Sequence, residues 1–283
     1  MQILAWNIQM AKGVDDVTSI ERIAGVIEEM GSSDVICCQE VGQEFDAQGR
    51  LLLDQPGELK RLFPDHKAFY GAAIDQFTDG NRVRFGNIVL SRLPVLSIAH
   101  HRLPQPADPE TASMSRQAIE LVLDWNGVPC RILSTHLEYF SSVQRRAHVD
   151  YLCAVYQEAC ARAESPPRIG GSGYYQGGPE TRNTILCGDL NLLPGSEHYQ
   201  KIVDKHHDAQ LLDAWLTLNP GQEHSPTCGI FDRDQWPEGP HCRDFFFVSP
   251  EIAGHLRDIS VNTQTDASDH QPVKLTLSGK GPE

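Results

Sequence analysis

A few short segments of this 283-residue chain hold acids, amides and imidazoles in patterns that could do chemistry. Gly188-Asp189-Leu190-Asn191 sets a carboxylate and an amide on the same side of an extended stretch, because side chains alternate along it. The same four residues also read as an Asx turn. Ser268-Asp269-His270-Gln271-Pro272-Val273 places an acid and an imidazole just before an apolar run. Neighbouring side chains diverge, so His270 needs an orienting carboxylate from elsewhere. Asp244, in Arg-Asp-Phe-Phe-Phe-Val, is the candidate. Otherwise the Asp-His pair is a solvated loop. Asn7, Glu40 and His136 each follow an apolar run, in Trp-Asn-Ile-Gln, Gln-Glu-Val and Thr-His-Leu-Glu. Taken singly they read equally as a turn residue, a rim carboxylate and a structural histidine.

Together these residue types suit hydrolysis of a phosphate ester. That reaction needs charge stabilised on the phosphoryl oxygens, a water held in line, and a neutralised leaving oxygen. A hard divalent cation with oxygen ligands meets the first need. Carboxylates hold such a cation and orient water, while amides and imidazoles contact phosphate without repelling it. Other chemistries lack their signatures. There is no HExxH, no Gly-Lys-Ser/Thr after a glycine-rich loop, and no Gly-x-Ser-x-Gly.

The elements that must position these groups are legible as apolar runs. Ile3 to Trp6, Asp34 to Gln39, Asn87 to Ser91, Ile119 to Asp124 and Cys130 to Thr135 read as strands. So do Ile185 to Cys187, Phe245 to Val248, Ile259 to Val261 and Val273 to Leu277. Thr18-x-x-Glu21 reads as a capping box for a helix that carries Ile20, Ile23, Ala24 and Ile27 and stops at Gly31. A second helix starts near Ser142, with Leu152, Val155, Tyr156 and Ala159 as its apolar face. Residues 165–183, rich in Pro and Gly, read as a long loop. The mixture predicts an α/β or α+β layered domain over residues 1–278, with 279–283 a short tail. Asn7, Glu40, His136, Asp189 and Asp269 all follow strands or the loops after them, where a rigid sheet fixes side chains and loops admit a ligand.

Composition narrows the partners. The chain has 24 Lys and Arg against 38 Asp and Glu, a formal charge of −14. A protein that grips long nucleic acid usually presents a basic face. A smaller phosphorylated substrate (a small molecule, a lipid head group or a nucleotide) fits better. No run is long enough to span a bilayer and the N-terminus lacks a signal-peptide pattern, so a cytoplasmic location is expected. The eight cysteines read as buried free thiols, since no pair has CxxC spacing. A zinc site from Cys228, His241 and Cys242 is the weaker alternative. The histidine pairs 100–101 and 206–207 read as solvated.

In order along the chain, Trp-Asn-Ile-Gln (6–9), Gln-Glu-Val (39–41) and Gly-Asn-Ile-Val-Leu-Ser-Arg (86–92) are followed by Thr-His-Leu (135–137). Gly-Asp-Leu-Asn (188–191), Arg-Asp-Phe-Phe-Phe-Val (243–248) and Ser-Asp-His-Gln-Pro-Val (268–273) complete the series. This series resembles the endonuclease/exonuclease/phosphatase superfamily, the DNase I-like proteins. The look is nearest to uncharacterised bacterial members, which share the His-Leu-Glu-Tyr segment and the Trp-Pro loop. The resemblance implies a four-layer α/β/β/α sandwich of two packed mixed β-sheets. It implies a divalent cation, Mg²⁺ or Mn²⁺, near Asn7, Glu40 and Asp269. It gives Asp189 the attacking water, with Asn191 holding phosphate or assisting it. It makes Asp244 and His270 an Asp–His dyad, and sets His136 on the phosphate or the leaving group. Arg116 matches a basic position and implies a phosphate contact. DNase I-like nucleases support the imidazole at position 136 with a Glu; here Asn87 is expected in that part. The expected activity is phosphodiesterase or phosphatase. The alternatives are an endonuclease or exonuclease, and a non-catalytic phosphate-binding scaffold. Loops 165–183, with Tyr174 and Tyr175, and 227–242, with Phe231, Trp236 and Pro237, are expected to wall the substrate pocket.

Overall fold

The structure, a computed structural model, describes residues 1–168, 175, 177–204, 210–279 and 281. Its strands are β1 Gln2–Asn7, β2 Val35–Phe45, β3 Leu51–Asp54, β4 Lys67–Thr78, β5 Asn81–Ser91, β6 Val95–Arg102, β7 Gln117–Trp125, β8 Val128–His136, β9 Thr184–Asp189, β10 Leu212–Asp213, β11 Asp244–Val248, β12 Leu256–Val261 and β13 Val273–Leu277. The helices are α1 Ile20–Glu29, α2 Gln55–Leu62, α3 Ser142–Glu164, α4 Glu197–Ile202, α5 Ala214–Leu218 and α6 Pro250–Ala253. One sheet runs β12-β13-β1-β2-β5-β4, with β3 paired to β2; the other runs β10-β11-β9-β8-β7-β6. Each contains one parallel pair, β1–β2 and β8–β9, among antiparallel ones.

Alternation within the strands builds three hydrophobic layers. Ile3, Ala5, Val35, Cys37 and Val89 of the first sheet pack on Ile132, Ile185, Cys187, Phe246 and Val248 of the second. The opposite faces are covered by helices. Leu4, Trp6, Ile36 and Ile88 lie with Ile20, Ile23 and Ile27 of α1. Leu133, Leu186, Phe245 and Phe247 lie with Val149, Leu152 and Tyr156 of α3. This is the expected sandwich of two packed mixed sheets flanked by helices. Among the described residues no helix is long and apolar enough to cross a membrane.

Some local expectations shift. The cap of α1 is Ser19 and not Thr18: its hydroxyl accepts the Arg22 amide at 3.1 Å. Helix α3 begins at Ser142 with Ser141 as its cap, and Val155 stays half-buried while Leu152, Tyr156 and Ala159 are buried. All eight cysteines are free, and all except Cys153 are buried. His101 is not solvated, since it bonds Glu120 at 2.9 Å and Tyr151 at 3.3 Å, whereas His100 is exposed. His206 and His207 lie outside the described residues. Strands β4 and β6 and helix α2 are not among the expected elements, but the difference that bears on the site is in β2. The sequence ends that strand at Gln39, but it continues to Phe45 through an irregularity between Cys38 and Val41. Glu40 sits there with φ of 58°.

Candidate functional site

The inward faces that form the inter-sheet core end, at one edge of the sandwich, in polar groups. On β1 the inward positions are Ile3, Ala5 and then Asn7. On β8 they run Cys130, Ile132, Ser134 and His136; on β9, Ile185, Cys187 and Asp189; on β11, Val248, Phe246 and Asp244. Register then aligns them. His136 lies opposite Asp189 across the parallel β8–β9 pair, and Asp189 lies opposite Asp244 across β9–β11. Gly188 makes this register workable. Its φ is +126°, and a Cβ there would come within 2.1 Å of Thr135 O, which excludes every other residue.

Glu40 reaches the same edge by the bulge. Strict alternation would turn it toward α1, on the side of Ile36 and Cys38. The extra residue transfers that side to Val41, which packs with Ile36, Cys38 and α1. Bulges commonly re-aim a side chain in this way. Asn7 Nδ2 then donates to Glu40 Oε1 at 3.0 Å and to Asp189 Oδ2 at 3.1 Å, bridging two carboxylates. The last contributors come from the loop before β13. Trp6 Nε1 donates to His270 O at 2.8 Å, and Ser268 Oγ donates to Asn7 O at 2.8 Å. These bonds fasten the C-terminal loop to the first strand.

Asp189 is the hub. Its Oδ2 lies 3.2 Å from His136 Nε2 and 3.6 Å from His270 Nε2, and its Oδ1 accepts the Asn191 amide at 3.0 Å. The last bond is an Asx turn, so the local and the chemical readings of this motif are both realised. Burial favours a neutral Asp189, but His136, His270 and the Asn7 amide outweigh it and hold the carboxyl below its usual range. Asn191 Nδ2 reaches His136 Nε2 at 3.2 Å and Leu137 O at 3.0 Å, leaving its Oδ1 buried without a partner. His270 Nδ1 lies 2.8 Å from Asp244 Oδ2, and Asp244 N donates to Thr227 Oγ1 at 3.1 Å. Burial disfavours a charged His270, yet Asp244, Asp189 and Asp269 push it well above its ordinary value. Burial lifts Asp244 as well, so one proton is shared. It rests on the imidazole, where Asp189 and Asp269 add their charge. The edge of the Trp236 ring, 1% exposed, closes over His270 at 5.7 Å between centroids.

Asp269 is buried and, among the described residues, makes no ion pair with a lysine or arginine. Burial raises its pKa, His270 opposes this, and Glu40 and Asp189 raise it further. Carboxylates crowded together without a lysine or arginine are a donor set suited to a hard cation. Asp189, Asp244 and His270 bring ligand atoms within 4.8 Å of one another, the one such trio among the described residues. In that trio both imidazole nitrogens already face carboxylates, and an imidazolium has no lone pair for a metal.

Asn87 and Arg116, expected to support His136 and to contact phosphate, bond to other groups. Asn87 Nδ2 donates to Gln117 O at 3.2 Å, not to His136, whose Nδ1 lies 3.8 Å from Glu40 Oε1. Arg116 is buried against Glu138, Nε to Oε2 3.2 Å, with a further Nη1 unpartnered. Its charge is taken up by a protein carboxylate. Cys228 Sγ lies 3.2 Å from His241 Nε2, but Cys242 Sγ donates to Asp244 O, so the three-residue zinc arrangement is not assembled. Of the loop residues, Trp236 joins the site, Phe231 and Tyr175 are exposed, and Tyr174 lies outside the described residues. Ser268 and Thr227 were not anticipated. Only the place of Ser268 beside Asp-His hinted at it, and Thr227 left no sequence signal.

The endonuclease/exonuclease/phosphatase family model matches residues 4–270, from the first strand to His270. The chain belongs to this family. Family members hydrolyse phosphate esters, and three solved structures share the fold. An endonuclease/exonuclease/phosphatase from Bacteroides vulgatus is 18% identical, with 98% of each chain covered and a TM-score of 0.68. The Bacteroides thetaiotaomicron mannosyl-6-phosphatase Bt3783 is 17% identical, covering 98% of this chain and 99% of its own, with a TM-score of 0.66. Truncated Caenorhabditis elegans TDP2 is 18% identical, covering 98% and 96%, with a TM-score of 0.62. No curated protein matches by sequence.

Proposed function

We propose that this endonuclease/exonuclease/phosphatase-family chain is a divalent-cation-dependent hydrolase of small phosphate esters. The observation that carries this reading is the convergence of Glu40, Asp189 and Asp269 beside the Asp244–His270 pair, without a lysine or arginine to neutralise the carboxylates. Glu40 and Asp269, with the Asn7 carbonyl oxygen nearby, are the residues that would hold the cation. A bound Mg²⁺ or Mn²⁺ would stabilise charge on the phosphoryl oxygens.

The side chains supply the rest. Asp189 is ionised and surrounded by donors, so it is a weak base and a strong acceptor; its part is to orient the water. The water oxygen bonds to phosphorus as the bond to the leaving oxygen breaks, and the proton the water sheds is taken up, through solvent, by the departing oxygen. The His270 imidazolium, held by Asp244, presents a proton to a phosphoryl oxygen. Asn191 and His136 face the phosphoryl or leaving-group side. The net charge of −14 supports a small substrate over a long nucleic acid.

Turnover of para-nitrophenyl phosphate and bis-para-nitrophenyl phosphate in Mg²⁺ or Mn²⁺ tests this reading, with sugar 6-phosphates as additional monoesters. Cleavage should stop with chelator, return with cation, and fall at least a hundredfold in Asp189→Ala. Chelator-resistant cleavage, or an Asp189→Ala variant as active as the parent, would end it. Preference between the two probes separates phosphatase from phosphodiesterase.

A further inference from the structure

Outside the carboxylate cluster, a cleft of about 360 Å³ opens directly beside Asn191. Its walls include Tyr139, Phe140, Arg145, Leu193 and Arg243. The two guanidiniums are its main feature. Arg145 Nη1 donates to the carbonyls of Glu138 at 2.8 Å and Tyr139 at 2.6 Å, and among the described residues Arg145 makes no ion pair. The Arg243 guanidinium lies 4.8 Å over the Trp236 ring and 5.3 Å over Tyr139, and its Nε donates to His241 Nε2 at 2.8 Å. Among the described residues its one carboxylate ion-pair partner, Glu238 at 3.6 Å, is half exposed. Burial and the facing charge of Arg243 lower the pKa of Arg145 by more than the carboxylates of Glu138 and Asp189 raise it.

Two cations held by backbone carbonyls and aromatic faces, close enough to repel, are costly in a free protein unless an anion joins them. That such a pair is kept in a chain of net charge −14 marks the place as selective. Phe140, 62% exposed, supplies an apolar wall at the mouth. Asn191 is shared: it lines the cleft while its Nδ2 lies 3.2 Å from His136 Nε2. A molecule bound at the carboxylate cluster and reaching past Asn191 would enter the cleft.

We propose that this cleft is a second anion subsite, and that the substrate is a phosphate ester bearing a further phosphate or carboxylate that Arg243 and Arg145 receive. The ring or chain joining the two anionic groups would lie against Tyr139 and Phe140. Arginine suits the task because its planar fork meets either anion through two parallel N–H donors. This rests on the phosphoesterase reading, and its test separates the two.

Three probes share a glucose carbon skeleton and a 6-phosphate and differ at carbon 1: glucose 1,6-bisphosphate, 6-phosphogluconate and glucose 6-phosphate. In Mg²⁺ the expected result is a higher kcat/KM for one or both doubly anionic probes. Arg243→Gln should cut that preference roughly 10-fold to 100-fold, the size of a lost charge-assisted hydrogen bond, and Arg243→Lys should restore part of it. Which doubly anionic probe is preferred identifies the second group as phosphate or carboxylate. Equal kcat/KM for all three, or a preference untouched by Arg243→Gln in a variant that melts like the parent, overturns the subsite. If none is turned over, the para-nitrophenyl assays alone decide the phosphoesterase reading, and calorimetric titration decides the subsite. Tighter binding of a doubly anionic probe, weakened by Arg243→Gln, supports it; binding indifferent to the second anion overturns it. Should Arg243→Gln fail to fold, Arg145→Gln gives the same comparison, with a loss of similar size expected.

Discussion

Replacing Asp244 with asparagine tests whether His270 works as a buried cation. The carboxylate lies 2.8 Å from His270 Nδ1, and the residues are 3% and 2% exposed. At an effective dielectric near 20, unit charges about 4 Å apart attract by about 4 kcal/mol. An asparagine carbonyl recovers about 1 kcal/mol as a neutral hydrogen bond. The imidazolium thus loses roughly 2–3 kcal/mol of support, which is about 30- to 150-fold in kcat at 1.36 kcal/mol per power of ten. Stability should respond differently. The substitution also removes a buried charge whose desolvation opposes folding, and these contributions largely cancel. A net change within about 1 kcal/mol corresponds to a melting shift of roughly 3 °C for a chain of this size. Steady-state kinetics and thermal melting of Asp244→Asn, with the cation present, provide the check. A kcat within threefold of the parent would refute the cationic role. A large loss of kcat together with a melting point lowered by more than about 10 °C would show that Asp244 chiefly holds the fold.

Gly188→Ala should lower stability by about 3 kcal/mol or more, because its Cβ meets Thr135 O at 2.1 Å and φ is +126°; an unchanged urea midpoint would contradict the close β8–β9 approach. His148 is buried at the N-terminal part of α3, accepting the Glu138 amide on Nδ1, and burial lowers its pKa from 6.5 to about 4. The unfolded chain takes up this proton below 6.5 and the folded chain only near 4. The contribution is therefore complete above 6.5 and lost as pH falls toward 4, about 2 kcal/mol of it by pH 5. Urea midpoints at pH 7 and pH 5 should accordingly fall less in His148→Gln than in the parent, and equal falls would refute the burial argument.

Much of the site was readable in one dimension, for a local reason. A strand that alternates and then ends in a polar residue exposes that residue at the sheet edge, whatever the strand pairs with. Asn7, Glu40, His136 and Asp189 are marked this way, and Asp189 also by the amide of Asn191 two residues on. Pairing Asp244 with His270 required only that an imidazole needs a carboxylate and that one stands at the foot of a strand. The layered class followed from helical spacing alternating with apolar runs, while the two-sheet arrangement came from family resemblance. Tertiary structure decided what depends on a second segment. Glu40 reaches the cluster because β2 continues past Gln39 to pair with β5 and must absorb an extra residue; a bulge is a mismatch between two strands and is not encoded in either alone. Asn87 and Arg116 have the right chemistry in the right segments, but Gln117 O and Glu138 claim them, residues 30 and 22 positions away. The Arg145–Arg243 cleft joins residues almost a hundred positions apart, held over Tyr139 and Trp236. Sequence determines which side chains can face the cleft; the competition of distant partners for each polar group determines which remain available to a substrate.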